Sequence, residues 1–210
     1  MKVLVACEYS GVVREAFRAR GHDAMSCDTL PTEIPGPHYQ GDVRDVLDDD
    51  WDLIIAHPPC TYLANSGVHC LHKDESRWAK LDEGAAFFKL FVDHPCKKIC
   101  IENPVMHKYA IERIGGRKQS QTVQPYEYGH PASKRTCLWL KGLPILRPTN
   151  ILERPESGVW ENQTPSGRCK LGPGPERAKL RSKTFEGIAE AMAEQWGGES
   201  VPVQGELALR

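Results

Sequence analysis

The chain of 210 residues, 23.5 kDa, is 40% apolar and 26% charged, the make-up of one globular domain with an adequate core. That excludes collagen-like and wholly disordered chains. The net charge of −1 hides a gradient: residues 1–50 carry −5, residues 51–96 carry −2, residues 97–183 carry +10 and residues 184–210 carry −4. A basic stretch of that size suits a surface facing nucleic acid, although a solvated, loop-rich face would read the same way. Nothing at the start resembles a secretory leader, since the apolar run Val3 to Cys7 is short. No apolar stretch approaches the about 20 residues needed to cross a bilayer. The eight cysteines are scattered with no CxxC pair. They are expected as reduced, mostly buried thiols in a cytoplasmic protein, with no metal site.

In chain order, KVLVAC reads as a strand, EYSG as a turn, and VVREAFRARG as a helix with Val12, Val13, Ala16 and Phe17 on one face. Gly21 is expected to end that helix, and HDAMSCD makes a second strand closing on Asp28. Pro31, Pro35, Gly36 and Pro37 stiffen a loop before GDVRDV. Asp52 to Ala56 is an apolar strand running into Pro58-Pro59-Cys60, residues 76–94 form an amphipathic helix, and KKICIENP is a strand ending at Glu102-Asn103-Pro104. Residues 121–140 hold one or two strands with a turn, and 141–183 read as a short, irregular, basic insertion. TFEGIAEAMAEQWG is a last helix, followed by a tail over 199–210. Strands alternating with helices give an α/β fold, a doubly wound, mostly parallel sheet over 1–140 to which 184–198 returns. Ligands in such sheets sit beyond the carboxyl ends of the strands. EYSG, CD, HPPC and IENP all fall there.

The chemistry those ends allow is specific. Two prolines hold Cys60 on an extended path at the crevice, and cysteine is the best side-chain nucleophile near neutral pH once its thiolate is stabilised. His57 stands three residues upstream, and the sequence does not tell whether it reaches the sulfur. Glu102 ends the next strand. Partly desolvated there, its proton affinity is expected to rise, so that it could protonate a ring nitrogen.

These residues resemble the cytosine-C5 DNA methyltransferases. Pro58-Pro59-Cys60 is similar to that family's nucleophile motif, and Glu102-Asn103-Pro104 to its Glu-Asn-Val motif. Gly41-Asp42-Val43 resembles the element whose Asp contacts the cofactor's adenine, and Asp28 the acid that holds the ribose hydroxyls. The turn Glu8-Tyr9-Ser10-Gly11 stands where the family's Gly-rich first motif does, YGHPASKRTCLWL resembles the stretch leading into a Gln-x-Arg-x-Arg motif, and the last helix resembles the family's final motif.

The resemblance implies a Rossmann-like, S-adenosylmethionine-dependent methyltransferase fold with DNA as partner. It implies catalytic roles for Cys60, Glu102, Pro59, Asn103 and Lys134, and cofactor contacts from Glu8, Ser10, Gly11, Asp28, Asp42, Val43 and Pro58. The departures are plain. Thr61 follows the cysteine, only Gly11 remains of the glycine-rich motif, and Ala132, Lys134 and Thr136 stand at the Gln-x-Arg-x-Arg positions, leaving Lys134 or Arg135 to supply the charge. A recognition region of about forty residues, 141–183, is as short as in compact, phage-like members, so a nucleotide, single-stranded DNA or RNA substrate stays open. So does a catalytically silent relative that binds nucleic acid.

Overall fold

The computed structural model describes residues 1–172 and 174–198, so the tail over 199–210 lies outside the described residues. Seven strands form one sheet: β1 (Lys2–Ala6), β2 (Asp23–Asp28), β3 (His38–Gln40), β4 (Leu53–Ala56), β5 (Ile99–Asn103), β6 (Gln121–Val123) and β7 (Thr136–Lys141). Their order is β3-β2-β1-β4-β5-β7-β6, parallel except for β7, which runs antiparallel to both β5 and β6. This is the doubly wound, mostly parallel α/β sheet that the strand pattern implies.

Helices cover both faces, and that is why the strands read as unbroken apolar runs. On one face α2 (Ser76–Val92) sets Leu81, Ala85, Phe88 and Phe91 against Leu4, Ile54, Ile99 and Ile101, with α3 (Lys108–Arg113) beside it through Ala110. On the other, α1 (Val12–Arg18) and α5 (Glu186–Trp196) pack Val13, Phe17, Ile188, Met192 and Trp196 against Val3, Val5, Leu53 and Ile55. The last helix thus returns to the first strand. Strand order reverses direction between β1 and β4, which opens a crevice at their carboxyl ends.

Four elements differ from the sequence reading. β3 is three residues long with no apolar run, and α3 is too short to show a period; it is fixed by His107, whose Nδ1 accepts the Ala110 amide at 3.1 Å. The end of the irregular insertion is in fact a helix, α4 (Pro175–Ser182). Tertiary contacts hold it where periodicity cannot: the Tyr9 hydroxyl donates to the Lys179 carbonyl at 2.6 Å, and Glu33 pairs with Lys179 and Lys183 at 3.3 and 2.5 Å. α1 also stops at Arg18, short of Gly21.

A second departure is buried. Arg14, on α1, is 0% exposed. Its guanidinium bonds Glu15, Ser26, Thr32 and the Ile34 carbonyl at 2.7, 2.9, 3.2 and 2.5 Å, which pins the proline-rich loop after β2 to the helix. Gly11 has φ +79°, and a Cβ there would fall 2.7 Å from that guanidinium. Arg14→Met keeps the length but removes every donor and strands buried acceptors. The expected cost is about 2–4 kcal/mol, read as a lower urea midpoint with unchanged slope. A midpoint within error of wild type would show that the network does not stabilise the fold.

Candidate active site

Register assembles the site. Ala6 pairs with Cys27 and with Ala56, and Ala56 pairs with Ile101. One residue further on, Asp28, Cys7, His57 and Glu102 follow as a row across four strand ends. The two loops carrying chemistry are then stapled together: Ala64 and Met106 form an isolated bridge, the Asn65 amide donates to the Val105 carbonyl at 2.8 Å, and His107 Nε2 bonds the Tyr62 carbonyl at 2.9 Å. Asn103 Nδ2 donates to the carbonyl of buried Pro58 at 2.9 Å, tying the end of β5 directly to the Pro-Pro-Cys turn. Pro59 is exposed and Cys60 half-buried.

Cys60, Glu102 and Lys134 share one electrostatic field. Burial, and then the Glu102 charge, push the Cys60 thiol above its ordinary value; Lys134 and Arg181 pull it down without reversing the shift. The resting sulfur is a thiol. For Glu102 burial favours the protonated carboxyl, but Lys134 and a hydrogen bond from His57 outweigh it and hold the group below the usual carboxylate range. This corrects the expectation of a raised proton affinity, because a cation and an imidazole face the carboxylate where the sequence suggested only desolvation. His57 Nδ1 lies 2.9 Å from Glu102 Oε2, so the histidine reaches the carboxylate.

Of the candidates for the missing arginines, Lys134 is the one turned to the site; its Nζ also donates to the Lys183 carbonyl at 3.2 Å, and its amide donates to Gln124 at 3.0 Å. Arg135 is exposed, and buried Thr136 donates to the Lys134 carbonyl at 3.2 Å.

The proposed cofactor residues divide. Asp28 Oδ1 accepts the Leu30 amide at 2.9 Å, with no hydrogen bond to Oδ2 among the described residues. Asp42 caps the turn Val43–Asp45 and pairs with Arg44 at 2.9 Å. Glu8 and Ser10 are buried: the Glu8 carboxylate accepts the Val13 and Arg14 amides at 2.7 and 3.2 Å and the Ser10 hydroxyl at 3.1 Å, so it caps α1 from within. The Val43 side chain belongs to the core. Between the Cys7–Ser10 turn, His57 and Ser182–Thr184 only about 10 Å³ stays open, about the space of one water.

A larger cavity, about 1010 Å³, opens beside Lys134 between Asn65, Pro104 and the insertion. Lys134, Arg135, Arg168, Lys170, Arg177 and Arg181 line it, with Glu161 as the acid among the described residues. The insertion is fixed to the core here. Asn162 makes paired bonds to the Ser133 backbone at 2.9 and 3.0 Å, and Trp160 stacks on Tyr126 at 4.7 Å. All eight cysteines are free, and among the described residues no group of three His, Cys, Asp or Glu side chains could hold a metal ion and no helix is long and apolar enough to cross a membrane.

Sequence reasoning missed Arg14, Tyr9 and Glu33, and had His57 without its partner. The strand register was the signal for His57, since paired positions on parallel neighbours point to one face.

No protein-family model matches the chain, and no curated protein matches it in sequence. Among solved structures it is similar to that of a triple mutant of Spodoptera frugiperda DNMT2, at 16% identity and a TM-score of 0.39, over 74% of this chain and 55% of that one. The chain therefore spans about half the length of that structure.

Proposed function

We propose that this protein is a methyltransferase that modifies C5 of cytosine in nucleic acid, with DNA as the first substrate to test. The observation that carries this reading is the meeting of Cys60, Glu102 and Lys134 at neighbouring strand ends. C5 of cytosine is too weak a nucleophile to be methylated directly. Addition of a sulfur to C6 changes that. The Cys60 Sγ–C6 bond forms, the C5=C6 pair moves to C4–C5, and the C4=N3 pair takes a proton at N3. The resting charges suit this order. Glu102, already ionised, accepts the thiol proton and delivers it to N3, and Lys134 stabilises the thiolate as it forms.

S-adenosylmethionine, when bound, supplies an electrophilic methyl group to the activated C5. The N3 proton then returns to Glu102, and loss of the C5 proton to solvent re-forms the C5–C6 double bond as the sulfur leaves as thiolate. The residues fit this cofactor at the β1–β4 crevice: Asp28 offers a carboxylate oxygen to ribose hydroxyls, and His57 Nε2 is buried with no partner on the β1 side. A cofactor there displaces the Ser182–Thr184 connection, which fills that space.

A base in a duplex must first leave the stack, at a cost of a few kcal/mol, while cations hold the phosphates. The basic cavity beside Lys134 supplies them. With six such contacts, affinity for a fluorescent duplex should fall on the order of a thousand-fold between about 50 and 200 mM salt. Binding that ignores salt would remove this cavity from phosphate recognition.

Nucleoside mass spectrometry of DNA and RNA from cells expressing the protein tests the whole reading. 5-Methylcytosine in DNA, absent with Cys60→Ser, is the expected result. Its appearance in RNA alone would move the substrate, and its absence from both would reject the activity.

A further inference from the structure

His57 takes no step in the addition described above, yet it is the group most tightly bound to one that does. It and Glu102 are 7% and 12% exposed, they are neighbours by register, and Nδ1 to Oε2 is 2.9 Å. Its own place is fixed, because its amide donates to the Ala6 carbonyl at 2.9 Å. Nε2 is buried and has no hydrogen-bond partner among the described residues. The ring nitrogen turned to the carboxylate is Nδ1, and a proton there donates to Oε2.

We propose that His57 is a positioning residue for Glu102: its Nδ1–H holds Oε2 and fixes the carboxylate in the orientation from which it exchanges a proton with Cys60. The proposal rests on the reaction read from Cys60 and Glu102, but it concerns the free protein and can be measured there. Without the imidazole, Glu102 keeps its burial and loses one of the two groups that offset it. The carboxyl would then bind its proton more tightly, and it would be free to turn away from the position in which it takes the proton of Cys60. The other charges around the pair are few. Lys134 faces Glu102, while Lys134 and Arg181 face Cys60. Cys7, Glu8 and Tyr9 from the β1 turn and Lys183 from the connection before α5 line the small cavity that His57 borders.

The experiment follows the carboxyl carbon of Glu102 by NMR in protein labelled at glutamate, without substrate or cofactor. The signal is assigned by its loss in Glu102→Gln. Wild type should titrate below the ordinary glutamate value of about 4.3. His57→Leu should raise the midpoint by about one unit or more, since a hydrogen bond to the charged form is lost from a buried site. His57→Asn, whose amide places a donor near Nδ1 but cannot titrate, should stay within about 0.3 unit of wild type. If the leucine variant does not fold, His57→Gln, whose donor lies near Nε2, replaces it with the same expected rise. A midpoint that does not move, or that rises equally in the asparagine variant, overturns the assignment. Absent methylation with the titration behaving as described would reject the reaction and leave the His57–Glu102 pair standing.

Discussion

Cys60→Ser will abolish both methyl transfer and covalent trapping by a 5-fluorocytosine substrate. Trapping follows from the addition chemistry, because fluorine at C5 cannot leave as the proton does and the Sγ–C6 bond is never released. Denaturing electrophoresis should show the adduct only with wild-type sulfur and with S-adenosylmethionine present. Serine leaves the turn intact, since the Pro-Pro path, the Asn103 bond to Pro58 and the bonds from Leu63 and Ala64 to the Cys60 carbonyl do not involve the sulfur. Cofactor affinity by calorimetry should therefore hold. An alkoxide is far harder to form than a thiolate, so residual activity should vanish into background. A cysteine that only packs makes the opposite forecast: a modest loss of stability with activity kept. Methylation near the wild-type rate in the serine variant would sink the mechanism.

Glu102→Gln should lower the rate about 10²- to 10⁴-fold, the usual range for loss of a positioned proton-transfer group. The substitution is gentle on the structure. The glutamine carbonyl can still accept the His57 proton, so the variant should fold and bind cofactor. It should also raise reactivity of Cys60 toward a small alkylating agent, since Glu102 is one of the two causes that keep this thiol protonated. Lost turnover beside a gain in thiol reactivity would separate proton transfer from any general damage. The pH dependence of stability carries a sign as well. The Glu102 carboxyl is held below its unfolded value, so its ionisation stabilises the fold above about pH 4.3 and that contribution disappears as pH falls through the lower folded value. Glutamine at this position should flatten that acid limb. Unchanged turnover would show that N3 is protonated by some other group.

Much of the layout was legible because its causes are local. Val3–Ala6, Leu53–Ala56 and Ile99–Ile101 are apolar on both faces, which only a helix-covered parallel sheet explains, and the Pro-Pro and Glu-Asn-Pro breaks mark where those strands end. From these the sequence places Cys60 and Glu102 at the carboxyl ends of two strands. It also carries the cofactor candidates Asp28 and Asp42, and the basic excess that the structure spreads along one cavity.

What the tertiary structure alone decided is the state of those groups. The charge on Glu102 depends on Lys134, two residues before the antiparallel strand β7, and on His57, just past the end of the neighbouring strand β4; neither is near it in sequence. Burial by itself would have raised the proton affinity of that carboxyl. α4 is mostly polar and, at eight residues, too short to stand as a helix by itself. It is ordered by Tyr9 and Glu33 from the opposite end of the chain. Pattern and spacing fix which residues can be buried and where strands stop, since those follow from neighbours along the chain. Protonation and the docking of polar segments follow from neighbours in space, because Coulomb and desolvation energies depend on distance through the fold.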